Sequence, residues 1–379
     1  MYTQQVLSMV SMRKDDLPEK EVGRILDDVL DGHRLTPEDA YALFSLNDRR
    51  VWNVAEAADW KRSRCIGEIV TYVRNQNINV TNLCINSCGF CGFSRKPGDG
   101  DVYYHDSDMV RKKTLEAQSR GVSEICTVSG LHPDFDAYSY VDIISTIREA
   151  APGIHIHASN PMEVAYGARK SGLSTVEMLT MLKEAGLGSL CGTAAEILVD
   201  DVRKKICPGK VSTAEWVRII REAHALGIRT TATIMYGHCE SVADRVEHLA
   251  ILRDIQDETG GFTEFVPLSF IHMNTPLYRK GLARAGATGR EDILMTAVSR
   301  LFLDNIPHIQ VSWVKTGLKM AQLGLMAGAD DLGGTMFEES ISKGAGALNT
   351  DYLDPAEMKR IADDLGRTLR RRDTLYNLI

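Results

Sequence analysis

Short apolar runs alternate with amphipathic stretches along most of the chain from about residue 69. The strand-like runs begin near Ile78, Glu124, Ile154, Ser189, Arg229, Phe262 and Ile309, with a weaker eighth near Asp330. Two of the intervening helical stretches open with capping boxes, Ser174-x-x-Glu177 and Ser212-x-x-Glu215. Such alternation implies parallel strands joined by right-handed crossovers.

The number and length of these units predict an α/β fold, a complete or nearly complete (β/α) barrel over residues 66–350. A doubly wound open sheet is the alternative, but no GxGxxG pattern follows the first strand to support it. Residues 1–65 are predicted to form an N-terminal helical cap, because Pro18 to Leu30 and Thr36 to Leu46 have apolar residues at helical spacing. A C-terminal helical extension is expected over residues 351–379.

The amino-acid composition and the net charge restrict which class of protein this chain can be. Of the 379 residues, 44% are hydrophobic and 25% are charged, as in globular proteins, and the net charge of −7 disfavours nucleic acid or an anionic membrane as a partner. No apolar run reaches the roughly 18 residues of a membrane helix, and the N-terminus lacks the apolar core of a signal peptide. We therefore expect a cytoplasmic protein with reduced thiols.

Three cysteines lie within eight positions: Cys84, Cys88 and Cys91, spaced C-x3-C-x2-C in the segment NINVTNLCINSCGFCGFSR. Three thiolates can hold three irons of a [4Fe-4S] cluster and leave the fourth iron open to a small ligand. A zinc knuckle is the alternative, with His105 as a possible fourth ligand, but no second cysteine pair lies nearby. A non-catalytic iron–sulfur or zinc protein is thus the competing class.

Polar residues near the predicted strand ends are candidates for the chemistry, since the strands of a barrel present catalytic groups at their C-terminal ends. Tyrosine, histidine and carboxylate suit proton transfer, so the predicted catalytic residues are Tyr236, His238 and Glu264. The predicted substrate-binding residues are His132, His157, His272 and Asp330. For His132, His157 and Asp330 a structural or solvated role is the open alternative.

The C-x3-C-x2-C spacing after a first barrel strand resembles the signature of the radical S-adenosylmethionine (SAM) superfamily. That resemblance implies that SAM chelates the open iron through its amino and carboxylate groups and is cleaved to a 5′-deoxyadenosyl radical. It places Ser129 and Gly130 beside the amino group of SAM, with Ser129 where the superfamily pattern has glycine. Phe90 and Glu196 complete the expected cofactor-binding set; for Glu196, a favourable position near a helix N-terminus is the alternative.

Longer phrases resemble one family, the 5-amino-6-(D-ribitylamino)uracil–L-tyrosine 4-hydroxyphenyl transferases, which are the second subunit of FO synthase. The phrases include HASNPMEV, GTAAEIL, TATIMYGHCES, TGGFTEFVPLSFIH and ADDLGGTMFEESIS, and the family pattern usually has proline at the position of Cys191. The resemblance implies that the radical abstracts hydrogen from the amino group of tyrosine and that the Cα–Cβ bond breaks. The 4-hydroxybenzyl group then joins C5 of the uracil, and 2-iminoacetate is released.

The same resemblance implies an electron donor and, as a partner reached either in a complex or by diffusion, the first FO synthase subunit. That subunit would close the ring of the deazaflavin chromophore of coenzyme F-420. Aminofutalosine synthase of menaquinone synthesis is the nearest rival in the superfamily. The phrases GTAAEIL and TGGFTEFVPL favour the tyrosine transferase.

Overall fold

The computed structural model describes residues 19–349 and 352–379. Its first three helices are α1 (Glu19–Leu30), α2 (Pro37–Phe44) and α3 (Val51–Ile66). The helices predicted for this region are therefore confirmed, except that Pro18 and everything before it lie outside the described residues. A reciprocal capping box begins α2 and explains why the helix starts where it does.

These helices are joined to the rest of the protein by one apolar core and by long cationic side chains. The buried apolar residues of the three helices include Val22, Ile25, Val29, Leu43, Val54 and Ala58. The Arg34 guanidinium bonds Asp257 and Asp304, each at 2.8 Å, and Arg253 donates to the Leu35 carbonyl at 2.8 Å. The N-terminal helices thus pack directly on the barrel, as expected of a cap.

The strands follow the predicted order. They are β1 (Ile69–Val73), β2 (Asn75–Asn77), β3 (Glu124–Thr127), β4 (His155–Ala158), β5 (Ser189–Leu190), β6 (Arg229–Tyr236), β7 (Phe262–Ser269), β8 (His308–Ile309), β9 (Asp331–Gly334) and β10 (Thr368–Arg372). Each expected start except the first lies within one residue of an observed start. The expected start at Ile78 is wrong, because the first strand has ended by then. The buried positions of β1 and β2 include the polar residues Thr71 and Asn75, which hide these two strands in a hydrophobicity pattern.

Helices cover the outside of the strands. They are α4 (Ser107–Ser119), α5 (Ala137–Ala150), α6 (Pro161–Ser171), α7 (Thr175–Ala185), α8 (Asp200–Ile206), α9 (Thr213–Ala225), α10 (Val242–Thr259), α11 (Pro276–Arg279), α12 (Gly289–Phe302), α13 (Trp313–Thr316), α14 (Leu318–Leu325), α15 (Ile341–Ala345) and α16 (Pro355–Asp364). The predicted box at Ser174 is reciprocal, whereas at Ser212 the side chain accepts from the Glu215 amide without a return bond among the described contacts. No helix in the described part of the chain is long and apolar enough to cross a membrane.

The strands close into the predicted barrel. Strands β2 to β8 form a parallel sheet in chain order, and β9, β1 and β10 form a second parallel sheet. Only Arg74 separates β1 from β2, and a bridge between Gln310 and Asp331 joins β8 to β9. Gly333 suits the junction between β8 and β9, because its φ of 73° lies in the left-handed region that glycine adopts without strain.

The predicted C-terminal helical extension contains one helix, α16. The rest of that prediction is wrong, because the chain after α16 forms β10, which pairs in parallel with β1. The sequence TLRRR has no apolar alternation, so the strand was not predicted. Buried charges explain its position: Arg372 reaches Asp331 at 2.5 Å and Glu264 at 3.4 Å. The Tyr376 hydroxyl donates to the same Glu264 carboxylate at 2.5 Å.

We predict that Arg372→Met lowers the free energy of unfolding by about 3–5 kcal/mol, because it leaves the buried Asp331 and Glu264 carboxylates uncompensated. The matched control is Arg370→Met, an exposed position in the same strand, which should change stability by less than about 0.5 kcal/mol. Chemical denaturation of the two variants measures both values. Equal stabilities would contradict the structural role given to Arg372.

Candidate active site

A cavity of about 230 Å³ opens beside the loop that follows β2. This loop and the turns after β3 and β5 bring together three predicted metal ligands and four predicted cofactor-binding residues. All seven line the cavity: Cys84, Cys88, Cys91, Phe90, Ser129, Gly130 and Glu196. Side chains from distant parts of the chain thus meet at the carboxyl ends of the strands, as in other barrels.

Two cations hold the cysteine loop in shape. The Lys96 ammonium donates to the carbonyls of Cys84 and Asn86 at 2.8 and 2.7 Å. The Arg95 guanidinium donates to the Gly92 and Phe93 carbonyls at 3.0 and 3.1 Å. These bonds satisfy carbonyls that a strand or helix would otherwise pair. Neither residue was predicted, although two adjacent cations shortly after a cysteine triplet were a usable signal.

The chemistry of the donor set fits a metal cluster. All three cysteines are free thiols, and the Leu131 amide donates to the Cys84 sulfur at 3.3 Å. Burial raises the pKa of the Cys88 thiol to about 12, a penalty on the thiolate that coordination to a metal would offset. In residues 19–349 and 352–379, no three histidine, cysteine or acidic side chains surround a single-ion position. The thiols of a cluster bind separate irons, so they need not converge on one point.

The turn after β3 is held by Glu163, a residue not predicted from the sequence. The Ser129 amide donates to one carboxylate oxygen of Glu163 at 3.1 Å, and the Asn160 side-chain amide donates to the other at 2.7 Å. The Ser129 hydroxyl accepts from the Val80 amide at 2.8 Å. Burial raises the pKa of Glu163 to about 8. An asparagine N-cap followed by proline at a strand end was the signal that could have indicated this residue.

The opposite wall carries Glu196 and two lysines that were not predicted. Lys210 pairs with Glu196 at 2.5 Å and lies 5.2 Å from the centre of the Phe90 ring. Glu196 has φ of 47°, an uncommon backbone conformation of the kind found at functional sites. Lys315 also lines the cavity and bonds the Ser342 hydroxyl at 2.6 Å. The Thr193 hydroxyl is buried there without a partner in the described structure.

The predicted catalytic residues Tyr236 and His238 lie outside the cavity lining, and their catalytic role stays a prediction. Tyr236 is buried, and its hydroxyl donates to Asp292 at 2.7 Å. The His238 ring contacts the Met235 carbonyl at 3.0 Å and the Cys239 amide at 2.8 Å, so both of its nitrogens are occupied. Burial raises the pKa of Tyr236 and lowers that of His238, which favours the neutral form of each. Tyr236 is thus tied to α12, and His238 to the backbone around the end of β6.

Three further candidates are engaged in buried contacts away from the cavity lining. Burial lowers the pKa of His157 to about 4, and its Nδ1 lies 2.7 Å from the Ser189 hydroxyl. Glu264 is held by Arg372 and Tyr376, and burial raises its pKa to about 7. Asp330 is buried and bonds Arg300 and His308, which lower its pKa although burial opposes ionisation. The carboxylates and the imidazole thus have internal partners, and the functional roles expected of these residues stay predictions.

The last two candidates also lie outside the cavity lining. His132 is in a surface groove of about 330 Å³, where its ring is near those of Tyr104 and Phe135. His272 packs against the Tyr278 ring, with 4.5 Å between centroids. Neither histidine is among the residues that face the three cysteines. Their expected part in substrate binding therefore has no support in this geometry.

Comparison with known proteins agrees with the barrel and the cysteine loop. The radical SAM superfamily matches residues 78–252, and the CofH/MqnC C-terminal region matches residues 259–377. A 5-amino-6-(D-ribitylamino)uracil–L-tyrosine 4-hydroxyphenyl transferase of Methanosphaerula palustris is 71% identical over 93% of this chain and 97% of its own. The chain belongs to this transferase family. The protein of the same name from Methanothermobacter thermautotrophicus is 49% identical over 94% of this chain and 97% of its own.

Solved structures show that the transferase family shares its fold with other radical SAM enzymes. Methylornithine synthase (PylB) matches with a TM-score of 0.72 and 19% identity, covering 92% of this chain and 97% of its own. The [FeFe]-hydrogenase maturase HydG matches with a TM-score of 0.76 and 16% identity, covering 97% of this chain and 79% of its own. The predicted superfamily, the family and the assignment as a group-transferring enzyme are confirmed.

We predict that Tyr236→Phe lowers the free energy of unfolding by about 1–2 kcal/mol and leaves the affinity for SAM within about two-fold, because the lost hydroxyl bonds Asp292 outside the cavity lining. Tyr138→Phe, at an exposed position, is the matched control and should change neither quantity. Denaturation and calorimetric titration measure the two effects. Unchanged stability with a loss of affinity of about ten-fold would restore Tyr236 as a site residue.

Proposed function

We propose that this enzyme joins the 4-hydroxybenzyl group of L-tyrosine to 5-amino-6-(D-ribitylamino)uracil and releases 2-iminoacetate, a step in the synthesis of FO and coenzyme F-420. The observation that carries the proposal is the shared cavity, in which Cys84, Cys88 and Cys91 face polar groups from other strand ends. The names of relatives up to 71% identical support the two substrates.

Cys84, Cys88 and Cys91 are the proposed ligands of three irons of a [4Fe-4S] cluster, with SAM at the fourth iron. When bound, the reduced cluster supplies the electron that cleaves SAM to methionine and a 5′-deoxyadenosyl radical. The chain contributes an apolar surround, in which Phe90, Phe93 and other apolar side chains line the cavity and restrict water.

The remaining cavity residues hold and orient the ligands. Lys210 and Lys315 suit carboxylate groups, while Asn86, Asn160 and Thr193 suit hydroxyl and carbonyl groups such as those of the ribityl chain and the uracil. Two substrates must be aligned for one carbon–carbon bond to form, so positioning by these side chains is their main contribution to the rate. Glu196 is the proposed contact for the ribose or amino group of SAM.

Two proteins complete the proposal. An external electron donor is needed for each cleavage of SAM, and the first FO synthase subunit would use the adduct as its substrate. The absence of membrane-spanning helices from the described residues and the reduced cysteines are compatible with the cytoplasm as the location.

The direct test is an anaerobic reaction of the reconstituted enzyme with SAM, dithionite, tyrosine and the diaminouracil, analysed by mass spectrometry. The proposal predicts 5′-deoxyadenosine together with a tyrosine-derived adduct of the uracil. Deoxyadenosine without the adduct would contradict the proposed substrates. Neither product, with the cluster verified spectroscopically, would contradict the radical mechanism.

We predict that Cys88→Ala loses the cluster and the cleavage of SAM, because one of the three iron ligands is removed. Cys207→Ala is the matched control: this buried thiol does not line the cavity, and the variant should keep full iron content and turnover. Iron analysis, visible absorbance and deoxyadenosine formation measure the difference. A normal cluster with normal turnover in Cys88→Ala, or loss of the cluster in Cys207→Ala alone, would refute the ligand assignment.

A further inference from the structure

Two surface segments are bonded directly to the backbone of the cysteine loop. The Gly89 amide donates to the Ile206 carbonyl at 2.7 Å, and the Gly89 carbonyl accepts from the Leu277 amide at 2.7 Å. A Cβ at Gly89 would lie 3.2 Å from the Leu277 side chain, so the three segments are closely packed. Cys88, the residue before Gly89, lines the cavity. The end of α8 and the start of α11 therefore form a surface one residue away from a proposed cluster ligand.

The exposed charged side chains of these segments are all cations. Over residues 84–96, 202–210 and 276–284 they are Lys204, Lys205, Arg279, Lys280 and Arg284. The same stretches contain no aspartate or glutamate, although the whole chain has a net charge of −7. A local concentration of positive charge attracts acidic partners and raises the rate at which they associate.

Most of this positive charge is not neutralised by the protein itself. Lys204 pairs with Asp201 of its own helix at 3.0 Å, and Arg284 pairs with Glu240 and Glu291. Within residues 19–349 and 352–379, by contrast, Lys205, Arg279 and Lys280 form no ion pair.

Large apolar side chains are exposed among the cations. Ile85 in the cysteine loop is 46% exposed, Tyr278 in α11 is 39% exposed and Leu282 is 58% exposed. The Leu282 amide donates to the Leu277 carbonyl at 3.0 Å, which holds this side chain beside the segment that contacts the loop. Aromatic and aliphatic contacts bordered by charged groups are typical of a surface that docks another protein, whereas a small anion would need only the cations.

The proposed function requires one kind of acidic protein at this place. Each cleavage of SAM needs an electron from outside the chain, and electron transfer requires that the donor come close to the cluster. Iron–sulfur proteins supply electrons at potentials as low as about −700 mV. Nucleic acids and anionic membranes also bind basic surfaces, but they deliver no electrons, and the net charge of the chain opposes both.

We propose that the surface formed by Ile85, Tyr278, Leu282 and the cations of α8 and α11 docks an acidic ferredoxin that reduces the cluster. One electron passes from the reduced ferredoxin to the oxidised cluster, and the ferredoxin leaves in its oxidised form. This inference rests on the proposed function, because that function supplies the cluster and its need for an electron.

The test compares wild type with Arg279→Gln/Lys280→Gln. The matched control is Lys359→Gln/Arg360→Gln, which removes the same two charges from an adjacent, exposed pair on α16, outside the three segments. The probe is an acidic 2[4Fe–4S] ferredoxin at low ionic strength. Calorimetric titration of the SAM-loaded holoenzyme gives the dissociation constant of oxidised ferredoxin. The rate of 5′-deoxyadenosine formation is measured with ferredoxin kept reduced by pyruvate:ferredoxin oxidoreductase and, separately, with dithionite, which needs no docking surface.

Arg279→Gln/Lys280→Gln should weaken ferredoxin binding and lower the ferredoxin-driven kcat/KM by about five-fold or more, because two cations that attract the partner are lost. The rate with dithionite should stay within about two-fold of wild type, since the variant leaves the cavity intact. The control variant should change none of the three quantities.

Two results would overturn the inference. One is ferredoxin binding and ferredoxin-driven turnover that both equal those of wild type; the other is an equal loss with dithionite, which would indicate damage to the active site. If the variant does not fold, wild type decides: ferredoxin-driven turnover that is unchanged between about 20 and 500 mM salt contradicts the proposal, because an electrostatic encounter is screened by salt. Wild type that forms no deoxyadenosine with dithionite would instead contradict the proposed function itself.

Discussion

The hydrogen bonds between the cysteine loop and the turn after β3 are the contacts on which the site depends. The Gly130 amide donates to the Thr81 carbonyl at 2.8 Å, and the Ile85 amide donates to the Leu131 carbonyl at 3.0 Å. The two segments are so close that a Cβ at Gly130 would lie 2.4 Å from the Leu83 carbonyl oxygen. Because both segments leave neighbouring parallel strands, their contact places the thiols at the mouth of the barrel.

Buried charged side chains are paired with one another at the closing strand but only partly paired at the cavity. Away from the cavity lining, Glu264, Asp331 and Arg372 satisfy one another, so the closing strand is held by a complete internal network. At the cavity, no cation in the described part of the chain pairs with Glu163, and Lys315 is bonded to a serine hydroxyl. Incomplete pairing of buried charges costs stability, and ligands that bring the missing partners would recover it.

The sequence indicated the barrel and the cysteine triplet of the cavity well, because both depend on local pattern: strand starts follow apolar runs, and the thiols lie within eight positions. Individual roles were harder to predict. Tyr236 and Glu264 were conspicuous polar residues near apolar strands, but their partners are remote in sequence: Asp292 for Tyr236, and Arg372 and Tyr376 for Glu264. Glu163 was missed for the same reason, since only the folded chain brings it to Ser129.

The central claim is that the three thiols hold a cluster whose fourth iron binds SAM in this cavity. Pulsed electron–nuclear double resonance on the reduced, reconstituted enzyme, with SAM labelled by ¹⁵N at its amino group, tests it most directly. The account predicts a hyperfine coupling from the labelled nitrogen that unlabelled SAM does not give, since that nitrogen would be bound to iron. A well-formed cluster with no coupling at saturating SAM would contradict the account.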